Sequence, residues 1–234
     1  MSDESKMSDD IQQQQQLSVN DYCWAGLRTL RDLALLASAP DCDAQLCSSW
    51  TTGVSFDVDG CVTLIDLGGK RLYKGFPAGG SPQLIFKQFA HLATLNVAGT
   101  DLPLKDTMAI LELVAPTIHA LYLGGNGLGV TGAKALGRWS PLASQLIKLD
   151  LQYNDIGCEG MEALCAGLEQ HLPKVQYLYA KGNQIGDQGA IALSQLLLKT
   201  TTDIGNNNGT VSSLRKIFWG ANQVQSQSNK TVYK

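Results

Sequence analysis

Cysteine, histidine and carboxylate side chains are the groups with which this chain would hold a metal or attack a substrate, and they are scattered. The six cysteines stand at Cys23, Cys42, Cys47, Cys61, Cys158 and Cys165, without the paired short spacings of a zinc site and too sparsely for a disulfide scaffold. They read as free thiols. His91, His119 and His171 stand beside no Ser, Cys or carboxylate in a recognised nucleophile motif. GGNGLG at 124–129 lacks the Lys and hydroxyl residue that complete a phosphate loop. DVDG at 57–60 opens like a calcium loop but has no Glu at the closing position, so it reads as a turn. No catalytic residue, metal ligand or cofactor is expected.

What remains is a chain built for packing. Its 234 residues are 44% hydrophobic, enough for a sizeable core. A net charge of -3 and a pI near 5.6 favour neither nucleic acid nor an acidic membrane as partner. The N-terminus, MSDESKMSDDIQQQQQLSVN, is acidic and Gln-rich where a secretion signal is basic and then apolar. No stretch has the length of a membrane-spanning helix. A cytoplasmic location is expected, with the nucleus as the alternative.

Four regions follow. Residues 1–17 read as a disordered acidic and Gln-rich tail, 18–61 as an N-terminal capping region, 62–225 as a repeat domain and 226–234 as a C-terminal tail. Within the capping region, Ser18 and Asp21 have capping-box spacing, and Trp24, Leu27, Leu30 and Ala34 share one face of a helix that Pro40 ends.

The repeat is the informative feature. VTLIDLGGKRL begins at Val62, LATLNVAGTDL at Leu92, IHALYLGGNGL at Ile118, LIKLDLQYNDI at Leu146, VQYLYAKGNQI at Val175 and LRKIFWGANQV at Leu214. Positions one, four and eleven are apolar throughout. The ninth is Asn126, Asn154, Asn183 and Asn222 in the last four units, and Lys70 and Thr100 in the first two. The starts are 30, 26, 28, 29 and 39 residues apart. The last gap holds KTTTDIGNNNGTVSS, whose loop formers read as an insertion at about 200–212. From Leu146 to Leu164 a period of two gives way to a helical period, so a strand, a tight turn and a helix are expected in one short unit. The helices begin at GVTGAKAL (129–136), GCEGMEAL (157–164) and GDQGAIAL (186–193), with Leu136, Leu164, Leu168, Leu193 and Leu197 turned inward. Gly132, Gly160 and Gly189 are expected to allow close backbone approach at the turn into each helix.

This pattern resembles the leucine-rich repeat, in the longer subtype of ribonuclease inhibitor and of the GTPase-activating protein of the nuclear-transport GTPase. The resemblance spans roughly residues 60 to 225. It implies an α/β solenoid, a horseshoe arc of about six repeats with a parallel sheet on the concave face and helices on the convex face. It also implies a stacked ladder of the ninth-position Asn residues. CSSWTTGVSFDVDGCVTLIDL, from Cys47 to Leu67, is similar to the cap of plant-type repeats, where C-x-W-x-G-V-x-C-D leads into the first strand. Phe56 stands where the second Cys of that cap belongs, and Trp50 and Val54 are placed to cover the end of the solenoid.

In such a solenoid the third, fifth and seventh positions point away from the core and line the concave face. In the first three units these are mostly small. The last three, with Tyr122 beside them, bring together Lys148, Asp150 and Gln152, then Tyr177, Tyr179 and Lys181, then Lys216 and Phe218. Aromatics fringed by charge on a rigid face are the composition of a protein-binding hot spot, although Tyr and Phe also simply suit strands. The expected function is a non-catalytic interaction module that holds a protein partner on this face. The alternative is a regulator of an enzyme, such as a GTPase activator of the type named above. A third reading takes the chain as a fragment of, or subunit in, a larger assembly.

Overall fold

The structure, a computed structural model, describes Leu27 and residues 53–72, 81–139, 143–171, 174–202 and 214–222. One sheet runs through them in sequence order: β1 (Val54–Phe56), β2 (Val62–Asp66), β3 (Thr94–Asn96), β4 (Ala120–Tyr122), β5 (Lys148–Asp150), β6 (Tyr177–Tyr179) and β7 (Lys216–Phe218). β1 pairs antiparallel with β2, and every later pair is parallel. The helices α1 (Pro82–Phe86), α2 (Leu104–Val114), α3 (Gly129–Arg138), α4 (Gly157–His171) and α5 (Asp187–Thr202) make the crossovers that parallel strands require. The sheet is open, as expected of the α/β solenoid.

The apolar positions explain why the units stack. Leu95, Leu121, Leu149 and Leu178, the fourth residues, are each buried at the centre of a strand whose flanking residues are half-exposed. First-position Val62, Leu92, Ile118, Leu146 and Val175 and eleventh-position Leu72, Leu102, Leu128, Ile156 and Ile185 join the same core. Helical Ile110, Leu136, Leu164 and Leu193 close it from the other side. No unit could bury this face alone, so each depends on its neighbours.

The turn after each strand needs a left-handed residue at the eighth position. Gly69, Gly99, Gly125 and Gly182 supply it with φ of 72°, 62°, 65° and 67°, where glycine meets no steric penalty. Two units break the rule with Tyr153 at 54° and Ala221 at 56°.

The Asn ladder implied by the resemblance is present. Asn126 Nδ2 donates to the carbonyls of Leu123 (2.9 Å) and Val97 (2.8 Å). Asn154 Nδ2 reaches Leu123 O at 2.9 Å, and Asn183 Nδ2 reaches Leu151 O at 2.7 Å. Their oxygens accept backbone N–H groups from the preceding unit: Asn126 N to Asn154 Oδ1 and Asn154 N to Asn183 Oδ1, both 2.9 Å, and Asn183 N to Asn222 Oδ1 at 2.7 Å. Thr100, fully buried, fills the same position with less chemistry. Its hydroxyl donates to Val97 O at 2.8 Å, and its N–H donates to Asn126 Oδ1 at 3.0 Å.

Several expectations need correction. β1 was not expected as a strand; Val54 covers the core as part of it and is 7% exposed. Helices α1 and α2 also precede the three units in which helices were read. In α5 the buried residue is Leu196, while Leu197 is only partly buried, a difference of one residue and so about 100° of helix phase. α5 continues to Thr202, into the stretch read as insertion. Gly160 and Gly189 do pack against the backbone of the preceding helix, an added Cβ standing 3.2 Å from Val130 Cα and 3.4 Å from Cys158 Cα, but Gly132 meets only side-chain carbons of Leu128. The N-terminal helix apart from buried Leu27, both tails, Trp50, and residues 203–213 lie outside the described residues.

The DVDG stretch is a turn, as read. Asp57 Oδ1 accepts the backbone N–H groups of Asp59 (3.0 Å) and Cys61 (2.8 Å), tying the β1–β2 hairpin.

Candidate functional site

Strand register decides which side chains meet. Lys148 pairs with Ala120 on one side and Tyr177 on the other; Asp150 pairs with Tyr122 and Tyr179; Lys216 follows Tyr177, and Phe218 follows Tyr179. The expected residues Tyr122, Lys148, Asp150, Gln152, Tyr177, Tyr179, Lys181, Lys216 and Phe218 therefore fall in adjacent rows across β4–β7. Tyr179 and Phe218 stack with ring centroids 4.5 Å apart and 5° between planes. Lys148 Nζ sits between two rings of the neighbouring strands, 4.7 Å from the centroid of Tyr122 and 5.0 Å from that of Tyr179. Tyr122, with Tyr179 and Asp150 nearby, raises the pKa of this ammonium above the ordinary lysine value. Lys148 is a fixed, fully charged cation at any physiological pH.

Asp150 is restrained. Its carboxylate accepts the Gln152 backbone N–H at 3.0 Å and the Gln152 side-chain amide at 3.2 and 3.0 Å. Gln152 is thus a clamp on Asp150 as well as a surface residue. An open groove of about 930 Å³ passes Gln152, Tyr179, Lys181, Arg215, Lys216 and Phe218. Tyr177 is half-buried, and Phe218 is 44% exposed.

Two residues of this neighbourhood were missed in the sequence. Arg215, at the second position, lines the groove. Tyr153 is more informative. It is 54% exposed, its ring lies 5.6 Å beneath Lys181 Nζ, and it lies so close to Gly182 that a Cβ there would come within 2.4 Å of the ring. Its hydroxyl raises the pKa of Lys181. A bulky residue in the left-handed region is an outlier, and the signal was available: glycine fills this position in four units.

The remaining expected positions form a different surface. At the start of the sheet Asn96 Nδ2 donates to Asp66 Oδ1 at 2.8 Å, and the face there is otherwise small-residued. His119 is exposed, with Nδ1 2.7 Å from Thr117 O.

Three of the units on which this face is built are leucine-rich repeats. Residues 114–137, 144–165 and 171–194 match the family model described as Leucine Rich repeat, and these segments contain the strands β4, β5 and β6 and most of the helices that follow them. The fold is an α/β leucine-rich repeat solenoid. Among solved structures the chain is similar to the leucine-rich repeat ectodomain of the Arabidopsis receptor kinase HAESA, determined in complex with an N-terminally extended IDA peptide hormone ligand. Identity is 18% and the TM-score 0.33, over 87% of this chain and 42% of that one; the chain thus spans less than half the length of that ectodomain. A search of curated proteins gave no match. Leucine-rich repeat domains generally serve as non-catalytic modules for protein interaction. Among the described residues, no helix is long and apolar enough to cross a membrane.

Proposed function

We propose that this protein binds a protein partner on the face formed by β4–β7, without catalysis of its own, and that the partner presents an acidic segment there. The observation that carries the reading is the wedge of Lys148 between Tyr122 and Tyr179, continued by the Tyr179–Phe218 stack. Rigid aromatic rings that need little further ordering on binding are the usual anchors of an interface. Lys148, Lys181, Arg215 and Lys216 outnumber the single carboxylate of Asp150, and that carboxylate is occupied by Gln152. Charge complementarity selects an acidic segment.

A basic and aromatic surface also suits single-stranded nucleic acid. The overall charge of -3 opposes an extended phosphate chain, so protein is the favoured class. Repeat spacings of 26–30 residues outside the insertion, with helices in the crossovers, support placing the repeats in the longer ribonuclease-inhibitor-like subtype. Cys158 and Cys165 are free thiols, which accords with a reducing cytoplasmic or nuclear location.

The test is comparative capture from cell extract with the wild-type chain, Tyr179→Ala and Gln176→Ala. A partner retained by wild type and Gln176→Ala but lost by Tyr179→Ala supports the reading. Equal recovery by all three removes it, and selective retention of oligonucleotides in place of protein overturns the partner class.

A further inference from the structure

We propose that Asp57, Cys61 and His91 bind a zinc ion at the N-terminal end of the sheet. One carboxylate oxygen, one sulfur and one imidazole nitrogen from these residues lie within 4.8 Å of one another. The donor set is diagnostic: sulfur and imidazole nitrogen suit zinc, whereas magnesium and calcium prefer oxygen throughout. Three protein ligands with one position left for water is a recognised coordination pattern for this ion.

The geometry supports capture. Asp57 Oδ1 is held by the backbone N–H groups of Cys61 and Asp59 at 2.8 and 3.0 Å. Its Oδ2 faces His91 Nδ1 at 3.1 Å. Such hydrogen bonding fixes a ligating carboxylate before the ion arrives. Cys61 is 4% exposed and forms the floor of the site, while the Asp57 and His91 side chains, 27% and 48% exposed, open it to water. Ligand atoms around tetrahedral zinc stand roughly 3.3–3.7 Å apart, given bonds of about 2.0–2.3 Å. An inward movement of about 1 Å, within reach of the exposed His91 ring, would close the widest separation allowed here.

The backbone keeps the ligands together. Asp57 and Cys61 belong to the hairpin turn between β1 and β2, whereas His91 precedes β3. The N–H of Ala93 donates to Thr63 O at 2.8 Å, so the His91 segment is tied to the strand that Cys61 enters. Bound zinc would join the hairpin to the second repeat and stabilise this end of the solenoid. The competing explanation is an Asp57–His91 ion pair beside a buried thiol that takes no part.

Cobalt(II) and zinc(II) titrations of the full chain, reduced and freed of metal by chelator, separate the two. Zinc coordination predicts a thiolate-to-cobalt charge-transfer band that zinc removes, and a rise in Tm on adding zinc. Cys61→Ser should abolish the band and His91→Gln should weaken zinc binding tenfold or more, while Cys158→Ser leaves both unchanged. Absence of the band together with an unchanged Tm at tenfold excess zinc overturns the proposal. So does a band that survives both Cys61→Ser and His91→Gln. Should Cys61→Ser fail to fold, the exposed His91→Gln decides alone.

Discussion

Gly167 packs directly on Gly137: a Cβ added at Gly167 would stand 2.2 Å from the Gly137 carbonyl oxygen and 2.5 Å from its Cα. The contact sets how closely α3 and α4 approach. Alanine would gain about 1 kcal/mol in helix propensity over glycine, but the obstacle is backbone and cannot rotate away. Gly167→Ala should therefore destabilise by ~2 kcal/mol or more, on the scale of core overpacking. Gly220→Ala, where nothing lies within 4 Å, should stay within ~0.5 kcal/mol of wild type. Urea unfolding of both variants makes the comparison, and equal midpoints would contradict it.

Asn154 is fully buried, and its side chain serves the preceding turn and its own. Asn154→Ala leaves the N–H groups of Asn126 and Leu128 without the Asn154 oxygen and takes one of two donors from Leu123 O, at a cost of ~1–3 kcal/mol. Gln195→Ala, on the exposed side of α5, should change stability by under ~0.5 kcal/mol. Denaturant midpoints check both.

Tyr153 holds a left-handed backbone that costs about 1 kcal/mol for a bulky residue. Tyr153→Gly should leave stability unchanged or raise it by up to ~1 kcal/mol, while weakening capture of the partner. A large fall in Tm would show that the ring is a structural prop.

On the proposed binding face, Tyr179→Ala should weaken binding of the partner by ~2 kcal/mol or more in calorimetry. Gln176→Ala should have an effect within ~0.5 kcal/mol. Lys181→Glu should slow association at low salt, with the difference shrinking as salt rises. A salt-independent loss would point to packing rather than charge.

Cys165 tests burial through pH. Desolvation, aided by Glu162 and Glu169, pushes its thiol up to about 12 from an ordinary 9.0. A raised folded-state pKa stabilises fully below the unfolded value and is lost as pH rises through the folded one. Between pH 9 and 12 the wild type should therefore lose stability more steeply than Cys165→Ala. Parallel curves would show that the thiol is solvated.

The pattern that made the solenoid legible is positional. Apolar residues at positions one, four and eleven force a shared core, so the strand rows and the alignment of Lys148 with Tyr177 and Lys216 could be counted from the chain. Tyr179 beside Phe218 followed from the same count, but their stacking and the Lys148 wedge depend on rotamers. β1 was hidden because Val54–Phe56, no shorter than β3–β7, belongs to no repeating unit that would mark it. Leu197 was misplaced because adjacent leucines at 196–198 blur helical phase. Tyr153 was overlooked because the eighth position was not compared across units, although glycine at four of them marks a left-handed turn. His91 stands 34 residues from Asp57, and only the pairing of β2 with β3 brings them together.

The ladder runs in one direction. Each Asn supplies its oxygen to the unit before it, so the N–H of Asn154 waits for an acceptor 29 residues further on, and that of Asn183 waits for one 39 residues on, beyond the insertion. On the ribosome, where the N-terminal end emerges first, every turn stays incomplete until the following repeat has cleared the exit tunnel. The longer interval of 39 residues extends that delay at one step, the docking of β7. Synthesis should thus yield a chain that locks repeat by repeat and pauses before the rung that Asn222 completes.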